Sequence, residues 1–293
     1  MSKSRFAVPV IGRLVAVVPL CVALLGVPTP GFAAPILLPA LASFGVLGAA
    51  GVTNVPTSTI GGNLGSAPNP SVGGGYVFSA GSLQANTPLA QQAQLDLDQA
   101  FLDLALFGPG LTILSDLTGT ILPGTYTVPA AGTNLSGNLV LDGGGSSTAV
   151  WVFHFPSTLI TSTTSNVTVT NVGSGAGVGL YWDVGTAATL NGPTFAGNVL
   201  ARTLISSDGD LTMSCGRLAS ATTQVTLIQD TISIGCLGTG FGSGGYDQGV
   251  DIGSGGTGGG TVPPVPEPAT LTLFASGLAI ARWKSRRMGS SRP

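Results

Sequence analysis

The chain has 293 residues, of which 46 are Gly and only 8% are charged, and its formal net charge is −2. That charge is segregated, because three of the ten Lys and Arg lie before residue 14, five lie after residue 281, and residues 34–262 hold two Arg against eleven Asp, a net of −9. Binding to nucleic acid requires clustered Lys and Arg that neutralise phosphates, so this composition excludes that class and disfavours anionic lipid surfaces. The body is too apolar to be disordered by charge. It predicts Gly-rich β structure with many tight turns.

Residues 1–33 have the organisation of a secretory signal peptide. Three basic residues precede an apolar run at 14–27, and Gly31-Phe32-Ala33 offers small residues for cleavage. The run is shorter than the roughly 20 residues of a membrane span and contains Pro19. We therefore predict an exported protein.

Residues 34–237 form the predicted body, in which short runs of Val, Leu, Ile and Thr end at Gly, Asn, Asp or Ser. Gly-Asn-(Leu/Val) begins at residues 62, 137 and 197, Thr-Leu begins at 158, 189 and 203, and apolar-Thr-apolar triplets begin at 167, 211 and 225. In a strand, Val167 and Val169 face one way and Thr168 faces the other. Repeated units that each bury one apolar row predict a stacked β-solenoid, and the irregular spacing predicts coils that are not identical.

Residues 87–107 predict a single long helix. Thr87 is the predicted N-cap, Pro88 lies at the first helical position, and Gly108-Pro109-Gly110 ends the helix. Helical spacing predicts a buried apolar stripe and an opposite polar stripe. The apolar stripe consists of Ala93, Leu97, Ala100, Phe101 and Leu104. The polar stripe consists of Gln92, Asp96, Gln99 and Asp103. Because one amphipathic helix is not stable alone, the apolar stripe must pack along the flank of the solenoid.

Cys215 and Cys236 are the only cysteines after the predicted signal peptide. In an exported protein such a pair predicts a disulfide, which stabilises by about 3 kcal/mol in the chain-entropy model. A metal pair is disfavoured because no His or further Cys accompanies them.

The C-terminal part divides into a Gly/Ser/Thr-rich linker at 238–262, expected to be flexible, and a sorting segment at 263–293. Pro266-Glu267-Pro268 precedes a short apolar stretch at 269–281 and a basic cluster at 282–287. The stretch barely reaches the length of a transmembrane helix, and the basic cluster would hold it on the cytoplasmic side. We expect transient membrane anchoring.

This tail resembles a PEP-CTERM sorting signal in the order and spacing of its three parts. The resemblance implies a Gram-negative bacterium, processing by an exosortase-type enzyme, and association with exopolysaccharide. The predicted location is therefore secreted, at the cell surface or in the extracellular matrix.

The body resembles the bacterial and fungal ice-binding protein family from about residue 38 to residue 235. The matching pieces, in chain order, are Gly51-Val52-Thr53-Asn54, Ile60-Gly61-Gly62-Asn63-Leu64-Gly65, the helix with Ala93, Leu95, Asp96 and Ala100, Leu122-Pro123-Gly124-Thr125-Tyr126, Leu139-Val140-Leu141-Asp142-Gly143, Ala149-Val150-Trp151-Val152-Phe153, Gly197-Asn198-Val199-Leu200-Ala201, and Gly216-Arg217-Leu218-Ala219. The resemblance implies an all-β dominated fold, an irregular right-handed three-sided β-solenoid with one long α-helix packed alongside. It also implies that the N-terminal coil stacks against later coils. Together with the threonine rows described below, the resemblance favours ice or ordered water as the partner, but by itself it does not decide the activity.

Catalytic and metal-binding residues are scarce. His154 is the only histidine, and no acid or nucleophile partner accompanies it in the sequence, so a surface or turn role is favoured over a general base. Paired carboxylates for glycoside cleavage would have to come from Asp183, Asp208, Asp210 or Asp230, since the body contains no glutamate. Neither Asp208 with Asp210 nor Asp247 with Asp251 has the spacing of a known Ca²⁺ loop. We predict that the protein is not an enzyme and needs no metal or cofactor.

Outward threonines remain as candidate functional residues, because each offers a hydroxyl and a methyl group on a stiff χ1. Stacked on neighbouring coils they would hold ordered water on a flat, nearly uncharged face, as ice adsorption requires. The first predicted row is Thr168, Thr170, Thr212, Ser214 and Thr226, and the second is Thr158, Thr189 and Thr203. Threonine also simply suits exposed strands. A structural or adhesive matrix protein associated with exopolysaccharide, without ice activity, is therefore the alternative function.

Overall fold

The computed structural model describes residues 35–113, 115–173 and 177–236. The predicted signal peptide, the linker and the sorting segment lie outside this part of the chain. The described residues form twenty strands and two helices, α1 (Pro39–Ala42) and α2 (Pro88–Ala105). The strands are β1 (Phe44–Gly48), β2 (Gly51–Val55), β3 (Ser58–Gly61), β4 (Asn63–Ser66), β5 (Tyr76–Ala80), β6 (Leu83–Ala85), β7 (Leu111–Thr112), β8 (Gly119–Ile121), β9 (Gly124–Thr127), β10 (Asn138–Asp142), β11 (Val150–Phe155), β12 (Leu159–Ile160), β13 (Asn166–Thr170), β14 (Gly179–Val184), β15 (Ala188–Leu190), β16 (Thr194–Ala201), β17 (Ile205–Ser207), β18 (Thr212–Ser220), β19 (Gln224–Ile228) and β20 (Thr231–Ser233).

The strands pair in parallel, each with a strand from a different turn of the chain. A sheet of fifteen strands has two branches that share β16 and β18. The first branch runs β8-β10-β13-β16-β18-β20-β3-β5, and the second runs β7-β9-β11-β14-β16-β18-β1-β4-β6. A second sheet of five strands has the order β12-β15-β17-β19-β2. The β-dominated class with parallel stacking is thereby confirmed.

Side chains alternate along the strands as the sequence predicts. In β13, Val167 is buried while Thr168 and Thr170 are exposed. The inward rows build the core, in which aromatic rings stack from one coil to the next. The ring centroids of Phe153 and Trp182 lie 4.6 Å apart, and those of Trp182 and Phe195 lie 4.9 Å apart. Such contacts fix the distance and orientation between neighbouring coils.

Helix α2 matches the predicted helix in its start, its end and its packing. The Thr87 hydroxyl accepts a hydrogen bond from the backbone N–H of Ala90, which caps the N-terminus. Its apolar stripe is buried against the second branch of the large sheet, where it meets Val152, Tyr181, Leu200 and Ala219. The predicted packing of this helix along the flank of the coils is confirmed.

The prediction was wrong for Asp96, which was placed on the outward stripe of α2. Its residue exposure is 3%, and its Oδ2 accepts hydrogen bonds from the backbone N–H groups of Ala40 and Leu41 at 3.1 and 3.2 Å. Gln92 donates to its other oxygen at 2.8 Å. Asp96 thus satisfies the free N–H groups at the start of α1, a helix that was not predicted. The partner lies 55 or more residues away in sequence, so the periodicity of α2 gives no sign of it.

The N-terminal coil is inserted beside the C-terminal coil, as the family resemblance implies. Strand β1 lies between β18 and β4, β2 pairs with β19, and β3 pairs with β20. Arg217, which is fully buried, joins these parts. It donates from Nη2 to the carbonyl of Ala42 at 2.7 Å, from Nε to that of Phe44 at 3.2 Å, and from Nη1 to Oδ1 of Asn198 at 2.5 Å.

The predicted disulfide is also present, between Cys215 in β18 and Cys236 at the end of the last described segment. It ties the end of the folded body to the centre of the coil stack. No helix within residues 35–113, 115–173 and 177–236 has the length and apolar character needed to cross a bilayer.

We predict that Arg217→Met strongly destabilises the fold, because it removes the donor to the buried Phe44 carbonyl, the buried Asn198 side chain and the partly buried Ala42 carbonyl. Each unsatisfied buried group costs about 1–3 kcal/mol. The free energy of unfolding from urea denaturation measures the effect. Arg202→Met is the matched control, since the Arg202 side chain is 47% exposed and its ion pair is long. Equal stability of the two variants would contradict the role assigned to Arg217.

Candidate functional site

The structure does not bring the first predicted threonine row together on one surface. Thr168 and Thr170 lie on β13, and Thr212 and Ser214 lie on β18, both in the first branch of the large sheet but separated by β16. Thr226 lies on β19 in the second sheet. The register between coils decides which side chains share a face, and a shift of one residue exchanges the faces.

The second predicted row is likewise divided. Thr189 lies on β15 in the second sheet, Thr158 precedes β12, and Thr203 lies between β16 and β17. The Thr203 carbonyl accepts the Ser220 hydroxyl, and its N–H donates to the carbonyl of Thr186 at 3.0 Å. Thr203 therefore contributes its backbone to the junction between two coils.

The second sheet carries a continuous outward column that unites members of both rows. Its residues occupy paired positions on five successive strands, β12, β15, β17, β19 and β2; they are Ile160, Thr189, Ser206, Thr226 and Thr53. We call this set the central column. The inward residues one position earlier are fully buried; they are Leu159, Ala188, Ile205, Val225 and Val52. At about 4.8 Å per strand, the central column is about 19 Å long.

Hydrogen bonds hold the central column in place. Thr53 donates from Oγ1 to Oγ1 of Thr226 at 3.0 Å, and Ser206 donates from Oγ to Oγ1 of Thr189 at 3.5 Å. The register of this sheet is unbroken in all four of its strand pairs. None of the residues in its five strands is charged. The paired residues Ile228 and Val55 border the column, so hydroxyl and apolar groups share one regular surface.

A second column of threonines lies on the first branch of the large sheet. Thr194, Thr212, Thr231 and Thr59 occupy paired positions on β16, β18, β20 and β3. The positions two residues further along these strands are uneven, because Ala196 and Gly61 are buried whereas Ser214 and Ser233 are partly exposed. The register also shifts between Ile60 and Gly61 where β3 meets β5. This surface is therefore less even than the second sheet.

The sequence analysis did not predict Thr53 and Ser206, which belong to the central column. It also did not predict Thr59, Thr194 and Thr231, which belong to the threonine column on the first branch of the large sheet. One signal was available for Thr53, because Val52-Thr53-Asn54 and Val225-Thr226-Leu227 share a Val-Thr pair, and these triplets lie side by side in the sheet. No such signal marks Ser206, which follows an isoleucine and precedes another serine.

Asp230 supports the edge of the second sheet from inside. It is fully buried, and its carboxylate accepts hydrogen bonds from the N–H groups of Leu211 and Ile228, both at 3.0 Å, and from the hydroxyl of Ser207. Its own N–H donates to the hydroxyl of Ser58 at 2.9 Å. Burial in the core raises the pKa of Asp230 above its usual value. This carboxylate joins strand ends of three coils, which is a structural role.

The remaining candidates for chemistry lie elsewhere. His154 Nδ1 is 2.9 Å from Oδ2 of Asp183, and Arg202 lies 3.8 Å from the other oxygen of that carboxylate. The guanidinium of Arg202 stacks 4.1 Å over the ring of Phe101 in α2, so this group belongs to the side of the molecule that carries the helix. Asp208 and Asp210 lie in the connection between β17 and β18. Within the described ranges, no three His, Cys, Asp or Glu side chains gather closely enough to hold a metal ion.

The family model described as "Ice-binding-like" matches residues 46–233, which is most of the described body. The chain belongs to this family. A curated relative, the ice-binding protein of Nostoc sp. (strain HG1), is 33% identical over 235 residues, covering 77% of this chain and 84% of the relative. A second family model, the PEP-CTERM protein-sorting motif, matches residues 264–287. That motif implies processing by an exosortase and secretion or cell-surface sorting in a bacterium.

Solved structures of ice-binding proteins share this fold. The protein of the Antarctic ascomycete Antarctomyces psychrotrophicus is 30% identical, with a TM-score of 0.62, covering 69% of this chain and 98% of that chain. An ice-binding protein from an Antarctic biological consortium is 27% identical, with a TM-score of 0.58, covering 70% of this chain and 93% of that chain.

We predict that the stability contributed by Asp230 depends on pH in a defined direction. Because burial raises its pKa in the folded state, folded protein binds this proton more tightly than unfolded protein does, and stability falls as pH rises through the folded pKa. Unfolding free energies of the wild type and Asp230→Asn should therefore converge or cross as pH changes, with the wild type relatively more stable at acid pH. Asp208→Asn, an exposed carboxylate in the adjacent turn, is the control. A difference that is constant with pH would contradict this expectation.

Proposed function

We propose that this protein is an exported ice-binding protein that adsorbs to ice through the outward face of its second sheet. We infer further that the two branches of the large sheet and the second sheet are the three sides of a right-handed β-solenoid. The observation that carries the proposal is the central column, in which hydroxyl-bearing side chains recur in unbroken register on four of five successive strands.

Adsorption to ice depends on many weak contacts made at once by a surface that is already ordered. Each contact with water is worth little, so any ordering of side chains on binding would consume the gain. Threonine is suited to this because its branched side chain is restricted at χ1. Here the Thr53–Thr226 and Ser206–Thr189 hydrogen bonds and the fully buried inward row restrict the column further.

The absence of charge in the five strands supports the same function. A charged side chain orients its own hydration shell and would disturb the lattice-like water that ice adsorption needs. The mixed surface instead offers hydroxyls that hydrogen-bond water and apolar groups, such as exposed Val55, around which water can form cages. The names of the Nostoc and Antarctomyces relatives as ice-binding proteins agree with this.

The sorting motif suggests where the protein acts. We infer a Gram-negative bacterium in which the tail is anchored transiently in the membrane, cut by an exosortase-type enzyme, and the body released to the surface or the exopolysaccharide matrix. Adsorption there would limit ice growth near the cell. The same motif supports the alternative function, a structural or adhesive matrix protein without ice activity.

We predict that Thr226→Tyr abolishes inhibition of ice recrystallisation, because a bulky ring in the middle of the central column lifts the neighbouring side chains away from ice. Thermal hysteresis and recrystallisation assays on the purified protein measure the loss. Thr112→Tyr is the matched control, an exposed strand threonine on β7 in the second branch. Thermal unfolding followed by circular dichroism checks that both variants fold.

Thr212→Tyr decides between the two threonine-bearing surfaces. Retained activity in this variant, with loss in Thr226→Tyr, supports the second sheet as the ice-binding face. Loss of activity in Thr212→Tyr, with retained activity in Thr226→Tyr, would instead support the first branch of the large sheet as the ice-binding face. If the wild type itself leaves recrystallisation unchanged but is retained on the organism's exopolysaccharide, the matrix alternative replaces the proposal.

A further inference from the structure

The stack of coils has an open end at residues 67–85, which we call the terminal coil. It lies on the N-terminal coil in both sheets, because Val72 pairs with Val52, β5 pairs with β3 and β6 pairs with β4. Within the part of the chain that the structure describes, no strand pairs with the other edge of β5 or of β6. Both strands therefore present free backbone N–H and C=O groups at the end of the stack.

The hydrophobic core is open at the same end. Paired residues of neighbouring strands point to the same face, so Phe78 and Leu83 follow their partners Ile60 and Leu64 toward the interior. Ile60 and Leu64 are fully buried, whereas Phe78 is 36% exposed and Leu83 is 51% exposed. The inward rows that build the core thus end in large apolar side chains that face water.

Terminal units of repeat proteins normally carry a polar outer face, which keeps the stack soluble. The terminal coil lacks such a face. Residues 34–95 contain no charged residue, although residues 34–262 together carry a net charge of −9. Pro68, Pro70 and a register shift in β5 interrupt part of the backbone edge, but they leave the inward rows uncovered. The terminal coil therefore has the character of an interaction surface.

A second copy of this chain is the partner that fits this surface. The partner must offer strand edges and inward apolar side chains in the same outline, and the end of another copy does so. It must also be uncharged, since the terminal coil has no charge to pair with. Two acidic bodies repel each other over most of their surface. At their terminal coils they can approach without bringing carboxylates together.

The opposite end of the stack fits this contact less well. One inward row ends there on Leu111, which pairs with Tyr126 and is 65% exposed. The exposed Asp116 lies in the same coil, between β7 and β8. Stacking that end on a terminal coil would place a carboxylate near a surface without a counter-charge, and it would continue without limit as a fibre. Contact between two terminal coils closes after two copies.

We propose that two copies of this protein pair end to end through their terminal coils, about a two-fold axis. The contact covers Phe78 and Leu83 of both copies and joins the two cores, so apolar burial supplies most of the binding. One coil end is small, and the buried area falls near the low end of specific complexes, about 1,200 Å² in total. We therefore expect a dimer that dissociates on dilution. The outward central column stays free in this arrangement.

Sedimentation velocity of the full-length chain, from about 1 μM to about 100 μM, tests the proposal. We expect the wild type to change from monomer to dimer, and Leu83→Lys to stay monomeric because two like charges would face each other in an apolar contact. Leu122→Lys is the matched control, since Leu122 is 59% exposed but lies at the opposite end, between β8 and β9. Thermal unfolding checks that the variants fold.

A charge exchange provides the second arm. Leu83→Glu alone should also stay monomeric, and an equimolar mixture of Leu83→Lys and Leu83→Glu should form dimers again. Position 83 points toward the centre of the coil, so a two-fold contact brings the opposite charges together, whereas stacking of unlike ends does not. A mixture that stays monomeric would overturn the two-fold contact.

Two further results would contradict the proposal as a whole. One is a wild type that stays monomeric at every concentration, which would leave the terminal coil to a different partner. The other is equal association of the wild type, Leu83→Lys and Leu122→Lys, which would place the contact elsewhere on the chain. None of these readouts depends on ice, so their failure would leave the ice-binding proposal unaffected.

Discussion

The insertion of the N-terminal coil beside the C-terminal coil is the constraint on which the rest of the structure depends. Strand β2 completes the second sheet, yet it is separated by 173 residues from the threonine that Thr53 contacts. The buried guanidinium of Arg217 fastens the start of that coil by donating to two of its carbonyls. Such a cation is tolerated inside the fold because each of its three nitrogens donates to a carbonyl or amide oxygen. Without this closure the fifth strand of the proposed ice-binding face would be missing.

The second sheet is supported by the buried side chains that lie beneath it. The inward row consists only of aliphatic side chains, and the stacked rings of Phe153, Trp182 and Phe195 fix neighbouring coils behind it. Close-packed interiors of this kind resist deformation. At the edge of this sheet, hydrogen bonds of the buried Asp230 connect Leu211, Ile228 and Ser58, which belong to different coils. A rigid support therefore exists for a surface whose own contacts with water are individually weak.

The sequence predicts the fold better than the site. The physical reason is that the fold shows itself in patterns among neighbouring residues, whereas the site depends on contacts between residues far apart in the chain. Alternation in Val167-Thr168-Val169 and the capping of α2 by Thr87 are local, and both are confirmed. The buried position of Asp96 and the grouping of threonines depend on contacts between residues far apart in the chain. Because the coils differ in length, the spacing along the sequence does not give the strand pairing between coils. Thr212 and Thr226 therefore look equivalent in sequence although they lie on different sheets.

A count of threonines does not by itself define an adsorption face. Both outward columns carry hydroxyls at the spacing of a parallel sheet, and Thr194, Thr212 and Thr231 are more exposed than most of the central column. What distinguishes the second sheet is its surroundings, because its register has no shift and its bordering residues Ile228 and Val55 are directly paired, whereas the register shifts where β3 meets β5 in the large sheet. Regularity of the neighbours, rather than the number of hydroxyls, is therefore the property that favours the second sheet.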